Sequence, residues 1–281
     1  MVQALLRCNS YRMKFRSYRP QPPSVWRLLI WLRQYNFKDW NLLADILEHV
    51  HFITTKEIEK TLVDLNARLL EKLKRQGIEP DHVIYMSIDE AGSSSPVMLN
   101  LLRDAARLPQ LGCHFLDSHQ GVRLGELTTL LHTGAVIYVD DFSGTGKQFC
   151  DDRDEIAQSI QGSFEEYLLL PWICEESVKR LGARGIDPIA NHVDSKVSRP
   201  LHELSSLLPA ASKQRLLKLC TEISPYMSLG FFDLATMVVF EHNCPDTTPL
   251  ILRGSEMQTP MKGILPRTSD LPPHMNEALN V

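Results

Sequence analysis

The sequence lacks paired cysteines, and this absence excludes two kinds of domain. Its six cysteines are scattered through the chain without a Cys-x-x-Cys pair. Zinc sites of the finger type and the disulfide frameworks of small secreted domains both need cysteines at short, regular spacings. We therefore expect reduced thiols and a cytoplasmic protein.

Long apolar runs are also missing. The most apolar early stretch, residues 25–32, is short and is interrupted by Arg27. A membrane-spanning helix needs about 20 mostly apolar residues, and a secretory signal needs a continuous apolar segment. The sequence therefore predicts no membrane contact and no secretion.

Acidic residues are absent from the first 38 positions, which contain eight Lys and Arg residues before Asp39. The remaining chain holds 22 basic residues against 34 acidic ones. A basic arm on an acidic body attracts polyanions, because each phosphate contact releases counterions. It can equally dock on its own acidic body or on a partner protein, so a nucleic-acid or nucleoprotein partner and an intramolecular contact both stay open.

Proline and apolar spacing divide the chain. Residues 20–23 read PQPP, and the apolar periodicity that follows predicts helices. One is a long helix that starts at the capping-box pattern of Thr54 and Glu57. We predict a basic arm with a Pro-rich break (1–23), a helical module with a small winged helix as the open alternative (24–78), an α/β domain with a C-terminal extension (79–268) and a loose tail (269–281).

Beyond Pro80, strands alternate with helices, which is typical of an α/β fold with a mostly parallel sheet. Residues 187–210 contain Pro, Ser and His, and we expect them to be irregular. The predicted strands cover residues 83–88, 113–116, 136–139, 167–173 and 234–241.

The strongest chemical signal follows the strand at 136–139. Asp140 and Asp141 end this strand, and the turn Ser143-Gly144-Thr145-Gly146 comes next. Two adjacent carboxylates are costly to bury unless they bind something, and one would suffice to cap a helix. In open α/β sheets, ligands bind beyond the carboxyl ends of strands, where a glycine-rich turn and a helix N-terminus hold phosphate. The stretch therefore predicts a phosphate in the turn and a polyhydroxyl group against the aspartates.

Two better-known phosphate motifs do not fit this turn. A Walker P-loop needs glycine where Asp141 stands and Ser or Thr where Gln148 stands. A dinucleotide-binding Gly-x-Gly-x-x-Gly motif needs a third glycine after Gly146, and the chain has none there. Both classes are excluded.

VIYVDDFSGTG (136–146) resembles the signature of type I phosphoribosyltransferases that binds PRPP (5-phosphoribosyl 1-pyrophosphate). The earlier stretch VIYMSIDEAGSSS (83–95) sits where that family has its pyrophosphate loop, and the similarity covers roughly residues 80–245. More narrowly, the helical module, FEHNCPDTTPLIL (240–252) and ILPR (264–267) resemble phosphoribosyltransferase-like proteins of bacterial conflict systems, including those beside retrons. The resemblance implies an α/β fold of the type I phosphoribosyltransferase kind.

The resemblance also implies roles for particular residues. Asp140 and Asp141 would act at the ribose by holding its 2′- and 3′-hydroxyls, with Mg²⁺ bridging ribose and pyrophosphate oxygens, so that they meet the metal only indirectly. Lys147 and Gln148 depart from the family pattern, which has a glycine and a small hydroxyl residue there. The implied phosphate contacts are Ser143, Gly144, Thr145, Gly146, Lys147 and Gln148, and the implied pyrophosphate contacts are Gly92, Ser93, Ser94 and Ser95.

The function implied by the resemblance is binding of PRPP or a nucleotide and chemistry at ribose C1′. The enzyme would be a phosphoribosyltransferase or a nucleotide N-glycosidase, acting as an effector in bacterial antiphage defence of the retron type. One alternative is a non-catalytic regulator that senses PRPP or a nucleotide. Another is a component of a nucleic-acid complex that uses the basic arm. The oligomeric state stays open.

Overall fold

Residues 2–88, 93–255 and 261–270 are described by the structure, which is a computed structural model. The chain forms two compact units. Unit 1 contains Met1–Thr55 and Ser195–Val281, and unit 2 contains Lys56–Asp194. The boundaries of these units differ from those of the domains predicted at 24–78 and 79–268. Residues 56–78 belong to unit 2, and residues 195–268 belong to unit 1.

The elements are numbered in chain order. The α-helices of the described residues are α1 (Val2–Lys14), α2 (Val25–Arg33), α3 (Trp40–Glu48), α4 (Thr55–Arg75), α5 (Ser94–Ala105), α6 (Gly121–Leu131), α7 (Lys147–Ile156), α8 (Glu175–Gly182), α9 (Ala210–Ile223) and α10 (Leu250–Arg253). The strands are β1 (His51–Ile53), β2 (Val83–Ser87), β3 (His114–Asp117), β4 (Thr133–Val139), β5 (Phe142–Ser143), β6 (Ser163–Cys174), β7 (Asp187–Asp194), β8 (Val238–Phe240), β9 (Gly254–Ser255) and β10 (Met261–Lys262).

Unit 2 is built on a parallel sheet. β2 lies between β3 and β4, and β4 lies between β2 and β6. β6 pairs with β7 along one edge, and β4 and β5 follow one another along its other edge. All these pairings are parallel, so the predicted α/β class with a mostly parallel sheet is confirmed.

Helices cover both faces of this sheet, as expected when crossovers connect parallel strands. On one face, alternate strand residues such as Tyr138 form a core with residues of α6, α7 and α8. On the other face, Tyr85 donates a hydrogen bond to Asn66 of α4, and the ammonium of Lys72 lies 4.7 Å from the ring centroid of Tyr167. Burial on both faces explains why β2 and β4 are almost continuously apolar.

One strand differs from the prediction. Residues 187–194 form β7, which pairs with β6 over its length, although we expected residues 187–210 to be irregular. Most β7 residues are exposed or half-buried, and the strand contains Pro188 and Asn191. A strand that pairs along one edge only is less buried and can keep polar residues. Its sequence then lacks the apolar run by which central strands are recognised.

Unit 1 joins the two ends of the chain in one core. β1 pairs in parallel with β8, so residues near 52 lie beside residues near 239. The indole of Trp31 in α2 donates a hydrogen bond to the carbonyl of Ile251, at 2.9 Å. The hydroxyl of Tyr18 donates to the carbonyl of Pro266. Both C-terminal stretches singled out in the sequence, 240–252 and 264–267, therefore contribute to the fold of the N-terminal helices.

The helical module has a single strand between residues 24 and 78, all of which the structure describes. That strand, β1, pairs in parallel with β8. A wing requires an antiparallel hairpin, and none occurs in these residues. Among the described residues, no helix combines the length and the apolar character that crossing a bilayer requires.

The basic arm is folded and makes contacts within unit 1. Residues 2–14 form α1, where Arg7 pairs with Asp45 and Glu48 of α3. Lys14 donates hydrogen bonds to two carbonyls at the end of α3. These contacts correspond to the intramolecular alternative for the arm. Of the predicted tail, residues 271–281 lie outside the described residues.

Candidate functional site

The predicted aspartates lie at the carboxyl end of β4. β4 is flanked by β2 and β6, and the amide of Asp140 still donates to the carbonyl of Leu169 in β6, at 3.1 Å. Asp140 is half-buried, and only 8% of Asp141 is exposed. The sheet thus ends in two carboxylates where ligands bind in open α/β folds.

Serines at the start of α5 contact the same end of β4. The Ser94 hydroxyl donates to Oδ1 of Asp140 at 2.9 Å, and that oxygen also accepts the Asp141 amide at 2.8 Å. Ser95 is fully buried and donates to the carbonyl of Val139 at 2.7 Å. The structure therefore brings the predicted pyrophosphate segment and the aspartates together. Ser93 is half-buried beside them in sequence, and Gly92 lies outside the described residues.

The turn between the aspartates and α7 has the features of an anion site. Ser143, Gly144 and Gly146 are buried, and Gly146 has φ +66°, a conformation that favours glycine. Gly146 is also the N-cap of α7, so it supplies no side chain to cap the helix, and the first turn of α7 has no acidic residue. An anion fits the positive end of such a helix. Thr145 is half-buried, and its hydroxyl accepts the amide of Lys147 at 3.2 Å.

Lys147 and Gln148 are exposed at the start of α7. Lys147 pairs with Asp151 one turn along the helix, and this hydrogen bond lowers the pKa of the Asp151 carboxyl. An exposed pair of this kind contributes little to stability. The ammonium of Lys147 is therefore available to a ligand at modest cost.

A partly buried network anchors the far half of α7 to the sheet. Nε of Arg153 donates to Glu166 at 2.8 Å, and the hydroxyl of Tyr138 donates to the same carboxylate at 2.9 Å. Glu166 is in β6 and Tyr138 in β4. Charge-assisted hydrogen bonds of this type are stronger than neutral ones. They fix the helix whose N-terminus faces the turn.

Sequence reasoning missed one residue that touches the turn. Ser177 in α8 is fully buried, and its hydroxyl lies 2.8 Å from the hydroxyl of Ser143. Nothing in the local sequence EESVKRLG distinguishes this serine. Its contact arises because α8 packs beside α7 in the same core.

The carboxylates at the end of β4 suit a magnesium ion that brings other ligands with it better than they suit a metal ion held by protein side chains alone. Within the described ranges, no three His, Cys, Asp or Glu side chains are grouped to hold a metal ion. Mg²⁺ is typically held by one or two carboxylates and completes its shell with water and phosphate oxygens. Asp140 and Asp141 are carboxylates at this position, so they fit a magnesium ion that would arrive with a phosphorylated ligand and meet them only indirectly, through the oxygens of that ligand.

Comparison with known proteins assigns the family. Residues 28–267 match the PRTase-CE family, which is most of the chain. The chain belongs to the PRTase-CE family. It is thus a type I phosphoribosyltransferase-like protein, as the motif at 136–146 indicated, whereas the finer resemblance to retron-associated proteins stays a prediction. No curated protein matches the chain.

Several solved structures resemble this PRTase-CE protein over part of its length. Orotate phosphoribosyltransferase from Aeropyrum pernix is 15% identical with a TM-score of 0.31, and the match covers 48% of this chain and 70% of that one. A hypothetical protein from Neisseria gonorrhoeae with bound ppGpp is 13% identical with a TM-score of 0.32, covering 60% and 97%. Hypoxanthine phosphoribosyltransferase from Staphylococcus aureus is 13% identical with a TM-score of 0.27, covering 49% and 73%.

Proposed function

We propose that this PRTase-CE protein binds PRPP or a nucleotide and acts at ribose C1′. One observation carries the proposal. Asp140 and Asp141 end the central strand β4, directly before a glycine-rich turn at the N-terminus of α7, and Ser94 at the start of α5 contacts Asp140. This arrangement provides acceptors for ribose hydroxyls beside an anion site for the 5′-phosphate.

The residues have distinct tasks in this proposal. The turn from Ser143 to Lys147 holds the 5′-phosphate, which orients the ribose against the carboxylates of Asp140 and Asp141. As the bond between C1′ and its leaving group breaks, the leaving group takes the electron pair and C1′ becomes oxocarbenium-like. The two carboxylates stabilise that positive charge, and an acceptor base or water then attacks C1′. Mg²⁺, when bound, stabilises negative charge on pyrophosphate.

We further propose that the protein is an effector in bacterial antiphage defence of the retron type. The support is the resemblance of residues 240–252 and 264–267 to proteins of bacterial conflict systems. These stretches lie in unit 1, so they belong to the part of the chain outside the sheet with the candidate site. A phage-plating assay tests this proposal: bacteria that express the protein should show fewer plaques than bacteria without it, and bacteria that express the variant with Asp140→Asn and Asp141→Asn should not.

Calorimetry tests the site itself. The protein is titrated with PRPP, nucleoside monophosphates and nucleoside triphosphates, with and without Mg²⁺. We expect binding of at least one ligand, and Asp140→Asn with Asp141→Asn should abolish it, because neutral amides cannot supply the paired carboxylates. The matched control carries Asp64→Asn and Asp104→Asn, which remove the same charge at two exposed positions in unit 2. Equal binding by both double variants would contradict the proposal.

Chromatography of the same mixtures separates the enzyme from the alternative. A product that forms only with intact aspartates identifies the base or acceptor and establishes the reaction. Binding without any product instead favours a regulator that senses PRPP or a nucleotide. In that case the double variant loses the ligand response and no turnover is found under any condition.

A further inference from the structure

We propose that Ser177 is a positioning residue that holds the phosphate-binding turn in its binding conformation. The inference rests on the proposed function of that turn. Ser177 belongs to α8, beyond the end of the motif, and it is fully buried. Its hydroxyl lies 2.8 Å from the hydroxyl of Ser143, at the start of the turn.

The same side chain contacts the other end of the turn. A Cβ placed on Gly146 would lie 2.7 Å from Oγ of Ser177 and 3.3 Å from its Cβ. The backbone of Gly146 therefore packs directly on this serine. Because Ser143 and Gly146 bracket the turn, one buried hydroxyl supports both of its ends.

This support affects binding through the backbone of the turn. Amides hold a phosphate well only when they already point to one place, since ordering a loose loop on binding lowers affinity. Ser177 is covered by protein, so it acts through Ser143 and Gly146 and does not touch the ligand. The turn therefore needs glycine at position 146 for two reasons: its φ is positive, and a Cβ there would collide with Ser177.

The test measures ligand affinity for a set of variants. Loss of one buried hydrogen bond typically weakens an equilibrium by about three- to thirtyfold, and we expect Ser177→Ala to raise the Kd for PRPP, or for the nucleotide that binds, by that factor. In a Ser143→Ala background, Ser177→Ala should raise the Kd by a smaller factor than it does in the parent, because the hydrogen bond to Ser143 is already lost and only the contact with Gly146 remains. Independent, multiplying effects of the two changes would overturn the proposal.

A control variant tests whether Ser177 affects binding only by stabilising the fold. Thr128 in α6 is also fully buried, and its hydroxyl donates to the carbonyl of Leu124 at 2.8 Å. Thr128→Ala should lower the free energy of unfolding much as Ser177→Ala does, yet leave the Kd unchanged. If both variants change the Kd equally, the effect of Ser177 is general destabilisation and the proposal fails.

Hydrogen exchange on the ligand-free protein keeps the inference testable when no ligand binds. The amides of residues 144–148 should exchange faster in Ser177→Ala than in the parent, whereas Thr128→Ala should leave them unchanged. Unchanged exchange in Ser177→Ala overturns the inference. Failure of the parent to bind PRPP and nucleotides rejects the proposed function instead, and the exchange result still decides what Ser177 does.

Discussion

At the scale of single residues, the buried carboxylate of Asp39 in unit 1 depends on one partner. Only 3% of Asp39 is exposed, and its two oxygens accept hydrogen bonds from Nε and Nη2 of Arg215 at 2.9 and 2.6 Å. Hydrogen bonds from Arg215 lower the pKa of the Asp39 carboxyl. Stability from a group with a depressed pKa is present above its unfolded pKa and is lost as pH falls through its folded pKa.

We expect Asp39→Asn to lower the free energy of unfolding at pH 7 by about 2 kcal/mol, the usual value for hydrogen bonds to a charged group. The difference from the parent should shrink as the pH falls below about 4, because the carboxyl is protonated first in the unfolded chain and, at a lower pH, in the folded protein, where its pKa is depressed. Urea unfolding at pH 7 and pH 3 measures both values, with the exposed Asp104→Asn variant as the control. A difference that stays constant with pH would show that the ion pair is not its cause.

Residue-level reasoning from the sequence succeeded where a residue belongs to a local motif. Asp140 and Asp141 could be placed at the end of a strand because a buried run precedes them. Ser177 could not be recognised, because its importance depends on the packing of α8 against a turn more than 30 residues earlier.

At the scale of elements, the central strands and the edge strand β3 were predictable, whereas the edge strand β7 was not. β2 and β4 are buried on both faces and read as apolar runs, whereas β7 keeps polar residues. β4 covers Thr133–Val139 and β6 covers Ser163–Cys174, so both are longer than the strands predicted at 136–139 and 167–173. Local sequence therefore predicts which elements line the site better than it predicts where each one stops.

The start of α7 gives a prediction at this scale. Gly146→Ala should lower the free energy of unfolding by about 1–2 kcal/mol from its left-handed backbone alone, and the contact with Ser177 adds to this cost. It should also weaken binding of the 5′-phosphate ligand tenfold or more, because the turn must move to make room for the methyl group. A tenfold change in Kd corresponds to about 1.4 kcal/mol of binding free energy. Unfolding curves and calorimetry measure the two effects.

Gly182→Ala is the matched control for this change. Gly182 ends α8, and a Cβ there would meet nothing within 4 Å. We expect that variant to be as stable as the parent or slightly more so, because alanine restricts the unfolded chain. If Gly146→Ala behaved like Gly182→Ala, the conformation of the turn would not matter for the site.

At the scale of the whole molecule, the division into units could not be read from the sequence. Unit 1 is discontinuous: β1 pairs with β8, and residues from both ends of the chain share one core. Pairing between segments so far apart leaves no local signal, and a basic N-terminal stretch suggests a free arm. In the structure that stretch instead forms a helix, and Arg7 on this helix makes ion pairs with Asp45 and Glu48, two acidic residues of α3.

This architecture predicts how the chain responds to truncation. A chain ending at Asp194 lacks β8, α9 and α10, so β1 loses its partner strand and Trp31 loses the carbonyl of Ile251. We expect trypsin to cleave residues 1–55 of this variant at least about tenfold faster than in the full chain, since local opening controls proteolysis. Residues 56–194 should persist, because unit 2 is continuous and has its own core. A chain ending at Asp270 should match the full chain, and equal protection of residues 1–55 in all three would show that the N-terminal helices fold without the C-terminal segment.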